Sequence, residues 1–188
     1  MRITGGEWRS RRLKGPGRTQ RLRPTPDAMR ERAFAVLADR VVGAAVLDLF
    51  AGTGAVGLEA LSRGAFRAVF VERDRTAVRL VEANRDALCG SSERARVLHR
   101  SARTAVEGLA GAGEQFSLAW ADPPFESWQE GLEALVAAFS GGVLEPGATA
   151  CLECPERADV EGSLPGWLEV ERDLAGGASR VVLLRRRG

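Results

Sequence analysis

The chain has 188 residues and a formal net charge of +2; 45% of it is apolar, 28% charged and 6% aromatic. A chain of this length buries roughly 70% of its unfolded surface around one core, and no run approaches the roughly 18 apolar residues of a membrane span. Three cysteines, no internal repeat and no apolar leader stretch exclude a secreted disulfide scaffold, a solenoid and a membrane protein, and the expected location is a reducing cytoplasm.

The first 32 residues hold ten Lys/Arg against three acids, so the net charge there is +7 and the remaining 156 residues carry −5. A basic arm ahead of a mildly acidic body is the electrostatic footprint of polyanion binding. Trp8 and Leu13 among arginines, between Gly5-Gly6 and Gly15-Pro16-Gly17, read as a short basic hairpin or arm. Thr25-Pro26-Asp27 opens a helix, with a capping hydroxyl, a proline at the first helical position and an acid in the first turn. Met29, Ala33, Val36 and Leu37 carry the helical spacing on to about Asp39. The arm and helix are expected to form one unit, 1–40, packed on a core domain, 41–188.

From residue 44 strand and helix patterns alternate. Strands are expected at 45–49, 68–71, 96–98, 116–121 and 148–153, the last after a Pro-Gly turn. Helices are expected at 56–63, 77–88, 104–110 and 129–139. Residues 168–172 and 180–184, separated by Ala175-Gly176-Gly177-Ala178, read as a terminal hairpin. Such alternation gives an α/β fold: a mostly parallel sheet covered on both faces, with antiparallel edge strands at its end. Ligands of such sheets sit beyond the carboxyl ends of the strands, so chemistry is expected just after them.

The first strand runs into Asp48-Leu49-Phe50-Ala51-Gly52-Thr53-Gly54-Ala55-Val56-Gly57, where Gly52, Gly54 and Gly57 satisfy G-x-G-x-x-G. Glu72, ending the second strand, is placed to accept hydrogen bonds from two ribose hydroxyls. Together they mark an adenosine-containing cofactor, a dinucleotide or S-adenosylmethionine. No Lys-Ser/Thr follows the last glycine, so this is not a phosphate-binding P-loop. An acid at Asp48 is poor company for a pyrophosphate and suits the ammonium of a methionine moiety, which favours S-adenosylmethionine. The fourth strand ends in Asp122-Pro123-Pro124-Phe125. Two prolines fix φ and leave carbonyls to accept, Asp122 is a further acceptor, and Phe125 offers a flat apolar face. That combination receives a planar molecule bearing an exocyclic NH2.

These motifs resemble those of class I S-adenosylmethionine-dependent amino-methyltransferases, whose fold is a Rossmann-like seven-stranded sheet. Arg2-Ile3-Thr4-Gly5-Gly6, Arg9 to Leu13, Leu22 to Asp27 with Arg30-Glu31, and Phe50 to Ala65 resemble the RsmD family more closely. Pro26 stands where that family usually has a threonine, Ser101-Ala102 where an Asn or Asp often precedes the alanine, and the chain has no tyrosine. The resemblance implies methylation of N2 of one guanine in 16S rRNA of the small ribosomal subunit, on the assembled 30S particle; a monomer is expected because the sequence shows no spare amphipathic helix. It implies a cofactor site of Asp48, Phe50, Ala51, Gly52, Thr53, Gly54, Gly57, Glu72, Arg73, Ser101, Ala102 and Asp122, and a catalytic set of Asp122, Pro123, Pro124 and Phe125. Arg2, Trp8, Arg9, Arg11, Arg12, Lys14, Arg23, Thr25 and Arg30 are the expected RNA contacts, Arg23 and Arg30 closing over both substrates; Trp8 serves equally as a core anchor.

Competing readings are methylation of another exocyclic amine (DNA adenine N6 or another RNA), a non-catalytic RNA-binding protein keeping the cofactor pocket, and an NAD-dependent oxidoreductase. A target-recognition domain has no room in 188 residues, and the oxidoreductase leaves Asp122 to Phe125 unexplained. No metal site is expected, because Cys151 and Cys154, three apart in a strand, point to opposite faces. His99 is expected to be structural, and Arg185 to Arg187 a solvated tail.

Overall fold

Residues 1–15, 27–90 and 93–188 are described by the computed structural model. The elements in chain order are α1 (Asp27–Leu37), β1 (Ala45–Leu49), α2 (Ala55–Ser62), β2 (Arg67–Glu72), α3 (Arg75–Cys89), β3 (Ala95–His99), α4 (Ala102–Gly111), β4 (Phe116–Ala121), α5 (Trp128–Ser140), β5 (Leu144–Pro155), β6 (Leu168–Gly176) and β7 (Ser179–Arg186). One seven-stranded sheet has the order β3-β2-β1-β4-β5-β7-β6. The first five strands pair in parallel, and β7 runs antiparallel to both β5 and β6. The strand order reverses between β1 and β4, the point beyond whose carboxyl ends such sheets place their ligands.

Each central strand is apolar on both faces because helices cover both. Val46, Phe70, Leu118, Trp120 and Cys151 point into a core closed by α1, α2 and α3. Leu47, Leu49, Val71, Ala119 and Leu152 point into the opposite core under α4 and α5. Cys151 and Cys154 fall in different cores, as their spacing predicts.

The basic arm folds back as a hairpin-like loop. Arg2 bridges Arg12 in antiparallel fashion, the Ile3 N–H donates to the Arg11 carbonyl, and the Ser10 N–H donates to the Ile3 carbonyl. Ile3 and Leu13 are buried in the same core as Phe34 of α1, so arm, helix and sheet share one interior.

Several boundaries differ from the sequence expectation. The helix start at Thr25-Pro26 lies outside the described residues; α1 ends at Leu37 and continues as a 3-10 turn through Arg40. The Pro-Gly turn before the fifth strand is a break in register inside β5, which already pairs with Phe116 through Leu144. The terminal hairpin is longer than expected, its two strands separated only by Gly177 and Ala178. Arg185 and Arg186 are strand residues, not a loose tail: Arg185 pairs with Glu169 at 2.8 Å, and Arg186 lies over the Trp167 ring. No helix among the described residues is long and apolar enough to cross a membrane.

Candidate active site

The loop after β1 is held by carboxylates behind it. Phe50, at φ 62, stands in the left-handed region that side chains avoid, and Gly52 and Gly54 follow with positive φ. Two consecutive backbone bonds fix the turn: the Ala51 N–H donates to the Val71 carbonyl (3.0 Å), and the Gly54 N–H to the Ala51 carbonyl (2.7 Å). Glu72, at the tip of β2, accepts three N–H groups. Gly52 donates to Oε2 at 2.9 Å, while Arg73 and Asp74 donate to Oε1 at 2.8 and 2.9 Å.

Asp48 is buried inside β1, 2% exposed, and its Oδ2 accepts the Gly57 N–H of α2 at 2.9 Å. Burial pushes its carboxyl up to about 7; the Gly57 N–H opposes this and the neighbouring Glu72 charge adds to it. A Cβ on Gly57 would stand 2.3 Å from the buried Phe70 ring, so only glycine lets α2 approach β2 this closely. A Cβ on Gly52 would meet nothing nearer than the Phe50 carbonyl at 3.9 Å, so this glycine faces open space.

The Asp122-Pro123-Pro124-Phe125 loop lies beside this turn. Leu49 pairs with Ala121, and the Asp122 N–H reaches the Leu49 carbonyl at 3.4 Å. Pro123 is buried against α5, where a Cβ on Gly131 would come within 2.8 Å of the proline ring. The Pro124 carbonyl accepts the Ser127 N–H at 2.9 Å, so one of the two carbonyls expected to serve as acceptors is spent on the local turn. Phe125 is half-buried and opens a short 3-10 turn into α5.

One expected residue needs correction, and the others are placed as follows. Arg30 is not an RNA contact: it is fully buried, pairs with Glu59 (3.4 Å) and Asp27 (2.9 Å), and donates to the Arg2 carbonyl. Ser101 caps α4, accepting the Thr104 N–H and donating to the Thr104 hydroxyl at 2.9 Å, so its oxygen serves the helix. Ala102, behind it, is buried. Trp8 packs partly buried against the core below the arm, the anchoring alternative. Arg2, Arg9, Arg11, Arg12 and Lys14 are exposed on the arm, Arg11 reaching the Ala87 carbonyl of α3 at 3.3 Å. Arg23 and Thr25 lie outside the described residues. Arg73, exposed after β2, pairs with Glu130 of α5 at 3.4 Å. The His99 ring meets the Arg73 carbonyl at 3.1 Å, in keeping with a structural role.

Sequence reasoning missed two residues around the site. Glu59 of α2 is fully buried and accepts from Thr4 (N–H and hydroxyl) and the Gly5 N–H, each at 2.8 Å, and pairs with Arg63. Asn84 of α3 binds both the arm and the Thr53 carbonyl of the glycine loop.

The profile of the family described as Conserved hypothetical protein 95 matches residues 1–184. The chain belongs to that family. Ribosomal RNA small subunit methyltransferase D of Escherichia coli is 42% identical over 125 residues, which are 66% of this chain and 60% of that protein. The chain thus spans less than two thirds of the length of that relative. The Bacillus subtilis protein YlbH is 31% identical over the full length of both chains. Among solved structures, yhhF from Escherichia coli superposes with a TM-score of 0.79 at 34% identity, covering 99% of this chain and 97% of that one. The motifs that resemble the RsmD family run from Met1 to about Phe125, the family match extends over residues 1–184, and the chain has the class I methyltransferase fold.

Proposed function

We propose that the chain transfers the methyl group of S-adenosylmethionine to the exocyclic N2 amine of one guanine in 16S rRNA, acting as a monomer on the assembled small subunit. The observation that carries this reading is the hydrogen bond from the Asp122 N–H to the Leu49 carbonyl, which joins an amine-receiving loop to a glycine loop at adjacent strand tips. The name of the Escherichia coli relative supports a small-subunit rRNA substrate. An exposed basic arm supports a phosphate-rich one.

The residues fit the cofactor. Gly52, at positive φ, faces open space beside Glu72, and the buried carboxyl of Asp48 suits an ammonium group. Glu72 Oε2 keeps acceptor capacity for ribose hydroxyls beyond its bond from Gly52. S-adenosylmethionine supplies a methyl carbon already activated by its sulfonium, so the protein needs no covalent intermediate.

What remains for the protein is positioning, which is worth about 7–11 kcal/mol when reacting atoms are held in line. The guanine N2 lone pair is conjugated into the ring. The Asp122 carboxylate and the Pro123 carbonyl accept its hydrogens, favouring a pyramidal nitrogen with an exposed lone pair, while Phe125 stacks on the base. The new N–C bond would form as the methyl–sulfur bond breaks and its electron pair returns to sulfur, leaving S-adenosylhomocysteine, and N2 would shed one proton to Asp122 or to water. The base must leave its stack to be reached, and Arg9, Arg11, Arg12 and Lys14 hold the flanking phosphates.

The test is tritiated-methyl transfer to naked 16S rRNA, assembled small subunits and DNA in one assay, using RNA from a strain lacking the modification. Label is expected in the small subunit and is abolished by Asp122→Ala. Label in DNA alone overturns the rRNA reading, and RNA affinity with no label anywhere overturns catalysis.

A further inference from the structure

We propose that Asn84 is a positioning residue that couples cofactor binding to RNA binding by tying the glycine loop to the basic arm. This inference rests on the functional reading above, in which the loop holds S-adenosylmethionine and the arm holds RNA. Asn84 lies on α3, 2% exposed, seven residues after Ala77 and three after Val81, both of which face the core. An uncharged amide on that apolar stripe costs stability unless it is bonded, and it is bonded entirely to backbone. Its Oδ1 accepts the Lys14 N–H at 2.7 Å, and its Nδ2 donates to the Lys14 carbonyl at 3.0 Å and to the Thr53 carbonyl at 2.9 Å. One side chain thus grips both backbone groups of an arm residue and one of the cofactor loop.

A second contact joins the same two parts. The Thr53 hydroxyl meets the Met1 sulfur at 3.6 Å, and the Met1 carbonyl accepts the Leu13 N–H at 3.3 Å. Thr53 stands between Gly52 and Gly54, both at positive φ, where no side chain restrains the backbone. A ligand that stiffens this turn therefore stiffens the carbonyl to which Asn84 is bonded, and with it the backbone of Lys14. RNA arriving at the arm then finds Lys14 already ordered and loses less conformational freedom on binding. By linkage, RNA must tighten the cofactor by the same factor.

The experiment uses the full chain, S-adenosylhomocysteine and unmodified 16S rRNA. The RNA Kd is measured by filter binding with and without saturating S-adenosylhomocysteine, and the ligand Kd by calorimetry with and without RNA. The wild type is expected to show at least about fivefold tightening in both directions. Asn84→Asp keeps the acceptor for the Lys14 N–H but loses both donors, and is expected to reduce the factor to less than about twofold. Asn84→Ala should do the same, and thermal melting confirms that each variant is folded. Because the factor is a ratio within one variant, any general loss of affinity cancels. A wild-type ratio of one, or a weakening, with both ligands bound overturns the coupling while sparing the functional reading. So does an Asn84→Asp ratio equal to that of the wild type. Failure of RNA or ligand to bind the wild type at all overturns the functional reading and the coupling with it.

Discussion

Replacing Glu72 by glutamine separates its two tasks, holding the loops and holding the cofactor. In the protein alone the carboxylate accepts N–H groups from Gly52, Arg73 and Asp74, all within 2.9 Å. Glutamine has one carbonyl oxygen. If that oxygen stays with Arg73 and Asp74, the amide NH2 faces the Gly52 N–H, donor against donor. The loss is one hydrogen bond to a charged group, about 1.5–3 kcal/mol, and the weaker acceptor left at the other two adds to it. For a chain of this size each kcal/mol lowers Tm by about 2–4 °C, so Glu72→Gln is expected to lower Tm by about 3–12 °C. Calorimetry with S-adenosylhomocysteine reads the second task. The substitution should weaken binding by about ten- to a hundredfold, because a mispositioned glycine loop and a lost acceptor act together. An unchanged Tm would refute the clamp, and a lowered Tm with unchanged ligand affinity would refute the ribose role.

What the sequence made legible is local. Gly52, Gly54 and Gly57 punctuate the end of β1, and the prolines after β4 fix the second loop; short-range backbone rules suffice to place both. Their adjacency was not legible in the same way: alternation of strands and helices allows several strand orders, and the two loops meet because this sheet sets β1 beside β4. Arg30 misled because its partner is distant: nothing around position 30 indicates that Glu59, 29 residues on, draws it into the interior. Ser101 carried a readable signal, a hydroxyl directly before a helix with a threonine three residues later, and it caps α4. Arg185 and Arg186 became strand because Glu169 and Trp167 lie across the terminal hairpin, a pairing no window of sequence contains. Asn84 was visible as a polar residue on the stripe of Ala77 and Val81, but only the folded arm supplies its partners.

Three further outcomes test the construction of the site. Gly57→Ala drives a Cβ to 2.3 Å from the buried Phe70 ring, and is expected to cost about 1–3 kcal/mol by urea unfolding; an unchanged midpoint would contradict the close approach of α2 to β2. Glu59→Gln removes one of the two carboxylates paired with buried Arg30, leaving only Asp27, costs about 3–5 kcal/mol, and should release the arm to limited proteolysis within residues 1–15; an arm as resistant as in the wild type would show that Glu59 does not hold it. The third outcome concerns Asp48, whose carboxyl is raised to about 7 chiefly by burial. Between the ordinary carboxylate range and about 7 the folded state keeps a proton that the unfolded chain has lost. The resulting contribution to stability is therefore fully present in acid and disappears as pH rises through about 7. Ligand binding has the opposite sign, because an ammonium group needs the ionised carboxylate. Affinity for S-adenosylhomocysteine should rise with pH, approaching tenfold per unit below about 7, and level off above it, while Asp48→Asn gives weaker, flat binding. A flat wild-type profile from pH 5.5 to 8 would mean that the ammonium is held elsewhere, and that the bond from the Gly57 N–H is the whole of what Asp48 does.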